Sequence, residues 1–433
     1  MTEAPATAPG RIAPGAAFAP ILRAQLRHDA PYAWHLRHQA SDSPLFRLHD
    51  LRELDDRLEA WLDAFGLAET AGDSLLPELQ PDDWGRRFLQ ALIALRHHLP
   101  EALHAACDDI QTREQQDELF DALVWDMEHH QAPSVARLLH HHNPHARAAA
   151  LRAAGQRRAE ITARFLHRQL QTDHPPIRIA TLQVIADTRQ TGFESAIREQ
   201  LRHSEADIRF HAARAAILLG LPEGVRAMQA FAFEENPHLR DALMLLHQSV
   251  PDDQIPIAVQ RIQRSRLSLR IKTYNLGMAG LPENLPILIE WMEDPEYAPL
   301  AAEAFAFITG VDFDHEDLDQ IAPETCEDPD NPLSQKRRRD PWTTAYEEDL
   351  PWPDPERVKA WWRRHASHLT PGQRYLGGQP YTESGMQSML RQGTQPQRRV
   401  AALYLAIRHP RQGLFPTRAN ARWQHTRLGR TET

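Results

Sequence analysis

Apolar residues recur at helical spacing along most of this chain, and the pattern is clear near its beginning. Between Leu48 and Gly66 they fall three or four residues apart, while acidic and basic residues occupy the other positions. The apolar set is Leu51, Leu54, Leu58, Leu62 and Phe65. This spacing predicts an amphipathic helix, for which Gly66 is a suitable end. A second helix over 32–39 is expected to pack on it.

The segment before these helices differs in character. Residues 1–20 form a Pro/Ala/Gly-rich tract that can bury little apolar surface. We therefore expect a mobile tail, with ordered structure beginning near Ile21. We interpret 21–80 as an N-terminal helical cap that covers the first unit of the array described next.

The central part of the chain repeats. Arginines recur there at intervals of 31, 31, 31 and 30 residues, at Arg147, Arg178, Arg209, Arg240 and Arg270. Each arginine follows a turn signal and begins a helical segment, commonly Ala-rich, and a second helix-like segment such as 161–170 follows. Two helices in each period are typical of an α-solenoid. We therefore predict an all-α, HEAT-like α-solenoid whose array of seven units covers 81–313.

The repeated arginines are predicted to be structural. In HEAT-type arrays such an arginine lies near an acid in the preceding turn, and the ion pairs form a ladder. Asp173 and Glu235 stand five residues before Arg178 and Arg240. The remaining three arginines have a histidine or serine at that offset, so the predicted ladder is incomplete. A role in packing and capping is favoured over one in ligand binding.

The sequence becomes acidic after Gly310. Nine acidic residues precede the next lysine or arginine, Lys336, so we interpret 314–349 as a solvated, charged linker. The alternation of Asp312, Asp314 and Glu316 leaves a calcium site open. However, no glycine follows at the position that an EF-hand loop requires.

Helical order is expected to resume at Leu350. Asp354-Pro355-Glu356 supplies an N-cap, a proline at the first helical position and an early acid, and so predicts a helix start. A turn over 372–380, helices over 381–391 and 397–408, and an extended, proline-interrupted last stretch follow. We interpret 350–433 as a C-terminal helical and extended extension.

Five residues of this extension are candidate binding residues: Trp352, Trp361, Trp362, Arg374 and Tyr375. Exposed tryptophans commonly carry much of the energy of a protein interface. The alternative, which we favour for the tryptophans, is that they close the C-terminal end of the array.

Composition narrows the classes of protein. A net charge of −10 argues against a nucleic-acid partner, because phosphate binding requires a basic face. No apolar stretch is long enough to span a bilayer, and the N-terminus lacks the pattern of a secretory signal. Two distant cysteines, Cys107 and Cys326, indicate neither a disulfide framework nor a thiolate metal cluster. A cytoplasmic protein is expected.

The 24 histidines raise the possibility of a metal-dependent enzyme. His141 and His145 have the spacing of a helical ligand pair, and His97 or His98 is a possible addition. Against this, no Glu stands between them as in an HExxH motif. Iron-binding HEAT proteins use paired His-Glu steps, and only His315-Glu316 has that order. We therefore predict no catalytic residue, no metal and no cofactor.

Several segments together resemble one protein family. They are 302–312 (AEAFAFITGVD), 350–362 (LPWPDPERVKAWW), 372–380 (GQRYLGGQP), 397–406 (QRRVAALYLA), 414–424 (LFPTRANARWQ) and 51–65 (LRELDDRLEAWLDAF). The chain resembles, over most of 21–428, a bacterial family of HEAT-repeat proteins often encoded beside type VI secretion effector and spike genes. The resemblance supplies no catalytic residues to carry over.

The expected function combines the repeat pattern with this resemblance. Repeat arrays form extended surfaces that suit a protein ligand better than a small substrate. The leading hypothesis is a non-enzymatic protein-binding solenoid, an adaptor or chaperone in type VI effector delivery. Its partner would be an effector, a toxin or a secretion component. The alternatives are an immunity protein that neutralises a toxin of the same locus and a metal-dependent enzyme that uses the histidine clusters.

Overall fold

The computed structural model describes residues 14–69, 84–126, 132–323 and 340–429. Within these ranges the regular structure is α-helical, apart from short 3-10 turns and one two-stranded antiparallel hairpin. The prediction of an all-α protein is therefore confirmed. Residues 1–13, most of the predicted tail, and 324–339, the middle of the predicted linker, lie outside the described residues. The first helix begins at Pro14, before the predicted start near Ile21.

The described residues include two N-terminal helices and a series of helix pairs. The N-terminal helices are α1 (Pro14–Ala40) and α2 (Leu48–Glu69). The first helices of the pairs are α3 (Arg86–Arg96), α5 (Arg113–Trp125), α7 (Pro144–Gln156), α9 (Pro175–Asp187), α11 (Ala206–Leu218), α13 (Leu239–Ser249) and α15 (Leu269–Ala279). The second helices are α4 (Pro100–Asp108), α6 (Ala132–Leu138), α8 (Ala163–Leu170), α10 (Glu194–Gln200), α12 (Pro222–Ala232), α14 (Ile255–Gln263) and α16 (Leu285–Trp291).

One more helix of the first type and a C-terminal group complete the fold. The elements are α17 (Ala298–Thr309), α18 (Pro355–His365), β1 (Tyr375–Leu376), β2 (Gln379–Pro380), α19 (Glu383–Gln392), α20 (Gln395–Arg408) and α21 (Ala421–Gly429).

Local capping explains where several of these helices begin. The Asn143 side chain accepts hydrogen bonds from two backbone N–H groups at the start of α7, where Pro144 occupies the first position. Thr162 and Ser268 cap α8 and α15 in the same way. Each cap satisfies a backbone donor that the helix itself leaves without a partner. The turn residues of the repeat therefore define its helix boundaries.

The first helices pack on one another in chain order. Contacts join α3, α5, α7, α9 and α11 in one series, and α13, α15 and α17 in a second, with α12 packed against both α11 and α13. Small residues allow the close approach. A methyl group added at Gly155 of α7 would lie 2.8 Å from Val184 of α9. At Gly277 of α15 it would lie 3.2 Å from Ala304 of α17.

First and second helices differ in how much of their surface is covered. Helix α11 buries nine of its 13 residues, whereas α8 buries only Leu166 and Leu170 of its eight. A helix that is apolar on all sides packs against other elements on all sides, whereas an amphipathic helix exposes its polar face to water. The first helices therefore form an inner layer, and the second helices form an outer layer with one exposed face.

The C-terminal extension packs on the part of the inner layer that runs from the end of α9 to α17. Tyr375 N–H donates to the Gly280 carbonyl beyond α15, and Gly377 N–H donates to the Phe307 carbonyl of α17. Helix α20 then packs on α13 and α11, and Leu414 N–H donates to the Asp187 carbonyl at the end of α9. The extension thus runs back along the array toward the N-terminal helices.

A buried ion pair joins the two ends of the chain. Arg37 of α1 donates to Asp55 of α2 at 2.8 Å, and also to the backbone carbonyls of Arg418 and Ala419 at 2.7 and 2.9 Å. Asp55 accepts a second bond from Ala421 N–H at the start of α21. Arg37 is 3% exposed and Asp55 is fully buried. Burial raises the pKa of Asp55, and Arg37 opposes that rise.

Two segments differ from their predicted form. Near the end of the expected solvated linker, Glu347 is buried and pairs with Arg270, because a buried arginine requires a nearby carboxylate. The last stretch, expected to be extended, ends in α21. The Asn420 side chain accepts from Arg422 N–H at the start of that helix.

We predict that Asp55→Ala lowers the free energy of unfolding by about 3–5 kcal/mol, because it leaves a buried arginine without its carboxylate. Asp56→Ala is the matched control on the same helix. Asp56 pairs with Arg52 and Arg422 at the surface, where such pairs contribute about 1 kcal/mol or less. Urea denaturation followed by tryptophan fluorescence measures both. Equal losses in the two variants would contradict the prediction.

Candidate functional site

The repeated arginines mostly satisfy turns and neighbouring helices. Arg178 donates to the carbonyl of Thr172 at 2.5 Å, and Arg209 donates to the carbonyls of His203 and Ser204 in the turn before α11. Arg147 donates to Gln169 of α8. These groups are backbone and amide oxygens, rather than the acids expected for an ion-pair ladder.

The last two arginines of the series face a cavity instead. Arg240 lies 4.9 Å from the ring of Tyr274. Arg270 is 1% exposed and bonds both oxygens of Glu347 at 2.5 Å, with Asp340 at 3.1 Å from its Nε. The sequence did not distinguish Arg240 and Arg270 from the other three arginines of the series. Their different surroundings arise from residues 340–347, which are distant in the chain.

The cavity has a volume of about 190 Å³ and lies where the array meets the C-terminal extension. Helices α13, α15 and α17 form one wall, and the start of α20, Thr344 and Tyr346 form the other, with Ser41 and Asp42 at the edge. Drug-sized ligands occupy sites of roughly 300–1,000 Å³, so this cavity suits a smaller molecule.

Positive and negative side chains are balanced in its lining. The basic and acidic residues of the lining are Arg240, Arg270, Arg399, Asp42, Asp241 and Glu303. Arg399 pairs with Asp241 at 2.8 Å, which joins α20 to α13. The lining donors without a hydrogen-bond partner among the described residues include Arg240 Nε, Arg270 Nη2 and Gln395 Nε2. Buried donors of this kind suit a ligand with acceptor oxygens, such as a small carboxylate.

Glu303 is the carboxyl group of this cavity whose pKa is raised to near neutrality. Burial raises the pKa of Glu303 to about 7, although the Arg240 guanidinium opposes the rise and the Glu347 carboxylate adds to it. The Tyr346 hydroxyl donates to Glu303 Oε1 at 3.4 Å. A carboxyl group that titrates near neutrality accepts or donates a hydrogen bond depending on pH, so the hydrogen bonds that Glu303 offers to the cavity depend on pH.

The five candidate binding residues of the extension lie mainly in packed positions. Trp361 is 9% exposed and packs edge to face with Phe305 at 5.9 Å, and Trp362 packs on the same ring at 6.3 Å. The Trp361 ring also donates to Glu316, one of the acids considered for calcium. Trp352 is half-buried and adjoins Gln320, whose N–H donates to its carbonyl.

Arg374 and Tyr375 are buried as well. Arg374 donates to the Ala279 carbonyl at 2.8 Å, pairs with Asp252 and lies 4.0 Å over the ring of Tyr381. Tyr375 bonds the backbone after α15, as described above. These contacts attach the hairpin to the end of the array and leave little of either side chain for a partner.

A second polar cluster lies at the other end of the array. His104 and Asp108 of α4 meet His141 and His142 of the turn before α7, with possible ligand atoms within 4.8 Å of one another. His145, the partner expected for His141, instead contacts Gln116 at 3.1 Å. The i, i+4 spacing of His104 and Asp108 was a sequence signal for half of this cluster.

Comparisons of the chain with protein-family models, with curated proteins and with solved structures gave no match. None of the described helices is both long enough and apolar enough to cross a membrane.

We predict that pH affects stability through Glu303. Its folded pKa of about 7 exceeds its ordinary value of 4.5, so its contribution is present in full below pH 4.5 and is lost as pH rises through 7. The loss is at most about 3.5 kcal/mol, at about 1.4 kcal/mol per pKa unit. Glu303→Gln removes this dependence, so its stability relative to wild type rises between pH 4.5 and pH 8.

Urea denaturation at several pH values in this range measures the difference. Glu290→Gln is the control, because Glu290 is exposed on the neighbouring helix α16. If the free energy of unfolding of both variants changes with pH as that of the wild type does, Glu303 is not the group that causes the pH dependence.

Proposed function

We propose that this chain is a non-enzymatic, protein-binding α-solenoid of HEAT type. We further propose that it acts as an adaptor or chaperone in type VI effector delivery. The delivery context rests on the family resemblance described above. Protein binding rests on the way the helices are layered, and the stacking of first helices in chain order supports the solenoid.

The main observation is that the second helices α8, α10, α12 and α14 bury only part of their residues and keep an exposed face. On the inner layer, the C-terminal extension packs on the end of α9 and on α11, α13, α15 and α17. The exposed face of the second helices therefore supplies the extended surface that repeat proteins use for large ligands. We place the partner on α8, α10, α12 and α14.

The charge on these four helices differs from that of the whole chain. They carry five arginines, Arg164, Arg168, Arg198, Arg226 and Arg261, and three glutamates, Glu194, Glu199 and Glu223. Arg198 pairs with Glu223 at 2.8 Å. On α14, the Ile257 side chain is 67% exposed beside this basic surface. Such a face suits a partner protein with an acidic surface and an apolar contact point.

Co-expression with the products of neighbouring genes, followed by size exclusion, tests the proposal. We expect one of them to co-migrate with this chain. Deletion of the gene then separates two roles. Loss of an adaptor leaves cells healthy but unable to deliver the effector, whereas poisoning by sibling cells would indicate an immunity protein. Failure of every neighbouring product to bind would contradict the proposal.

We predict that Arg168→Glu with Arg226→Glu weakens partner binding by at least about tenfold, because the exchange places like charges against an acidic surface. Arg363→Glu with Arg364→Glu on α18 is the matched control, since these arginines are also exposed. Isothermal titration with the co-purified partner measures both. Equal affinities of the two double variants for the partner would exclude the outer layer as the binding surface. Binding of duplex DNA in place of a protein would contradict the proposal that the partner is a protein.

A further inference from the structure

We propose that His104, Asp108, His141 and His142 form a zinc site that joins α4 to the turn between α6 and α7. This site is independent of the protein-binding function proposed above. It connects the first and second helix pairs of the array with the start of the third. Its four side chains come from two segments more than thirty residues apart in the chain.

Distances between the side chains support the assignment. Asp108 Oδ1 lies 3.2 Å from His104 Nδ1, 3.3 Å from His141 Nε2 and 3.5 Å from His142 Nε2. Zinc binds nitrogen and oxygen at about 2.0–2.2 Å, so the ligand atoms of a tetrahedral site are roughly 3.3–3.5 Å apart. The three measured separations therefore match the edges of such a tetrahedron.

The imidazoles are crowded around one point. The ring of His141 lies 4.2 Å from that of His104 and 4.4 Å from that of His142. His141 is 5% exposed, and its buried Nε2 makes no well-aligned hydrogen bond among the described residues, although it lies near Asp108.

His141 must change its tautomer to bind the metal ion. Its Nδ1 accepts a hydrogen bond from Asn143 N–H at 3.1 Å, which leaves the proton on Nε2. Coordination of neutral imidazole through Nε2 requires the tautomer with the proton on Nδ1, and that proton breaks the hydrogen bond from Asn143 N–H. We therefore expect His141 to contribute less to affinity than the exposed ligands His104, Asp108 and His142, through which the metal enters.

The chemical class of the ion follows from the donor set. Three imidazoles and one carboxylate suit zinc better than calcium or magnesium, which prefer oxygen ligands. Four protein ligands leave no open position, which is typical of a structural zinc site. Zinc would stabilise the folded protein, because a bound ion favours the state that binds it.

The test uses the full chain, stripped with a chelator and dialysed. Isothermal titration with zinc chloride is expected to show one equivalent bound, and thermal unfolding is expected to move to higher temperature with zinc. Cobalt(II) in the same site is expected to give the intense visible absorption of tetrahedral coordination. This spectrum reports ligand geometry independently of stability.

Two neighbouring histidines provide a matched pair of variants. His142→Ala is expected to weaken zinc binding by at least about 100-fold, the upper range seen when supporting residues of metal sites are lost. His140→Ala alters an exposed histidine of the same turn that lies outside the cluster, and is expected to bind zinc as the wild type does. Asp108→Asn is expected to behave like His142→Ala while keeping the side-chain volume.

Three results would overturn the assignment. They are substoichiometric zinc binding by the wild type, equal affinities in His142→Ala and His140→Ala, and an octahedral cobalt spectrum. Circular dichroism of each variant without metal confirms that a loss of binding does not come from a failure to fold.

Discussion

The structure depends on the return of the C-terminal extension along the inner layer of helices. Arg37 and Asp55 hold its end against α1 and α2 through buried bonds that involve both side chains and the backbone. A buried charge without such partners would be costly, so these residues specify a single position for the segment. Two parts of the chain separated by more than 360 residues therefore define one packed unit.

This constraint explains the unequal burial of the helices. First helices such as α11 are covered on both sides, which requires small and apolar residues around the whole helix. Second helices such as α8 are covered on one side and keep a charged outer face. The outer layer is therefore the surface on which we place the proposed partner. The tryptophans near the C-terminus serve mainly to close the end of the array.

Polar groups collect where the regular stacking meets other segments. Between the array and the extension, Arg240, Arg270 and Glu303 surround a small cavity with unpartnered donors. At the other end, four side chains around Asp108 have the spacing of metal ligands. In both places the helices supply fixed positions, and a turn or loop from another part of the chain completes the site.

Much of the helical architecture was determined by local sequence. The spacing of apolar residues, the N-cap at Asp354 and the recurring arginines predicted helices close to those of the structure, because these signals act within a few residues. Only the tertiary structure decided what the arginines bind, that Arg374 and Glu347 are buried, and that His104 meets His141. Those outcomes depend on contacts between distant segments, which periodicity along the chain does not encode.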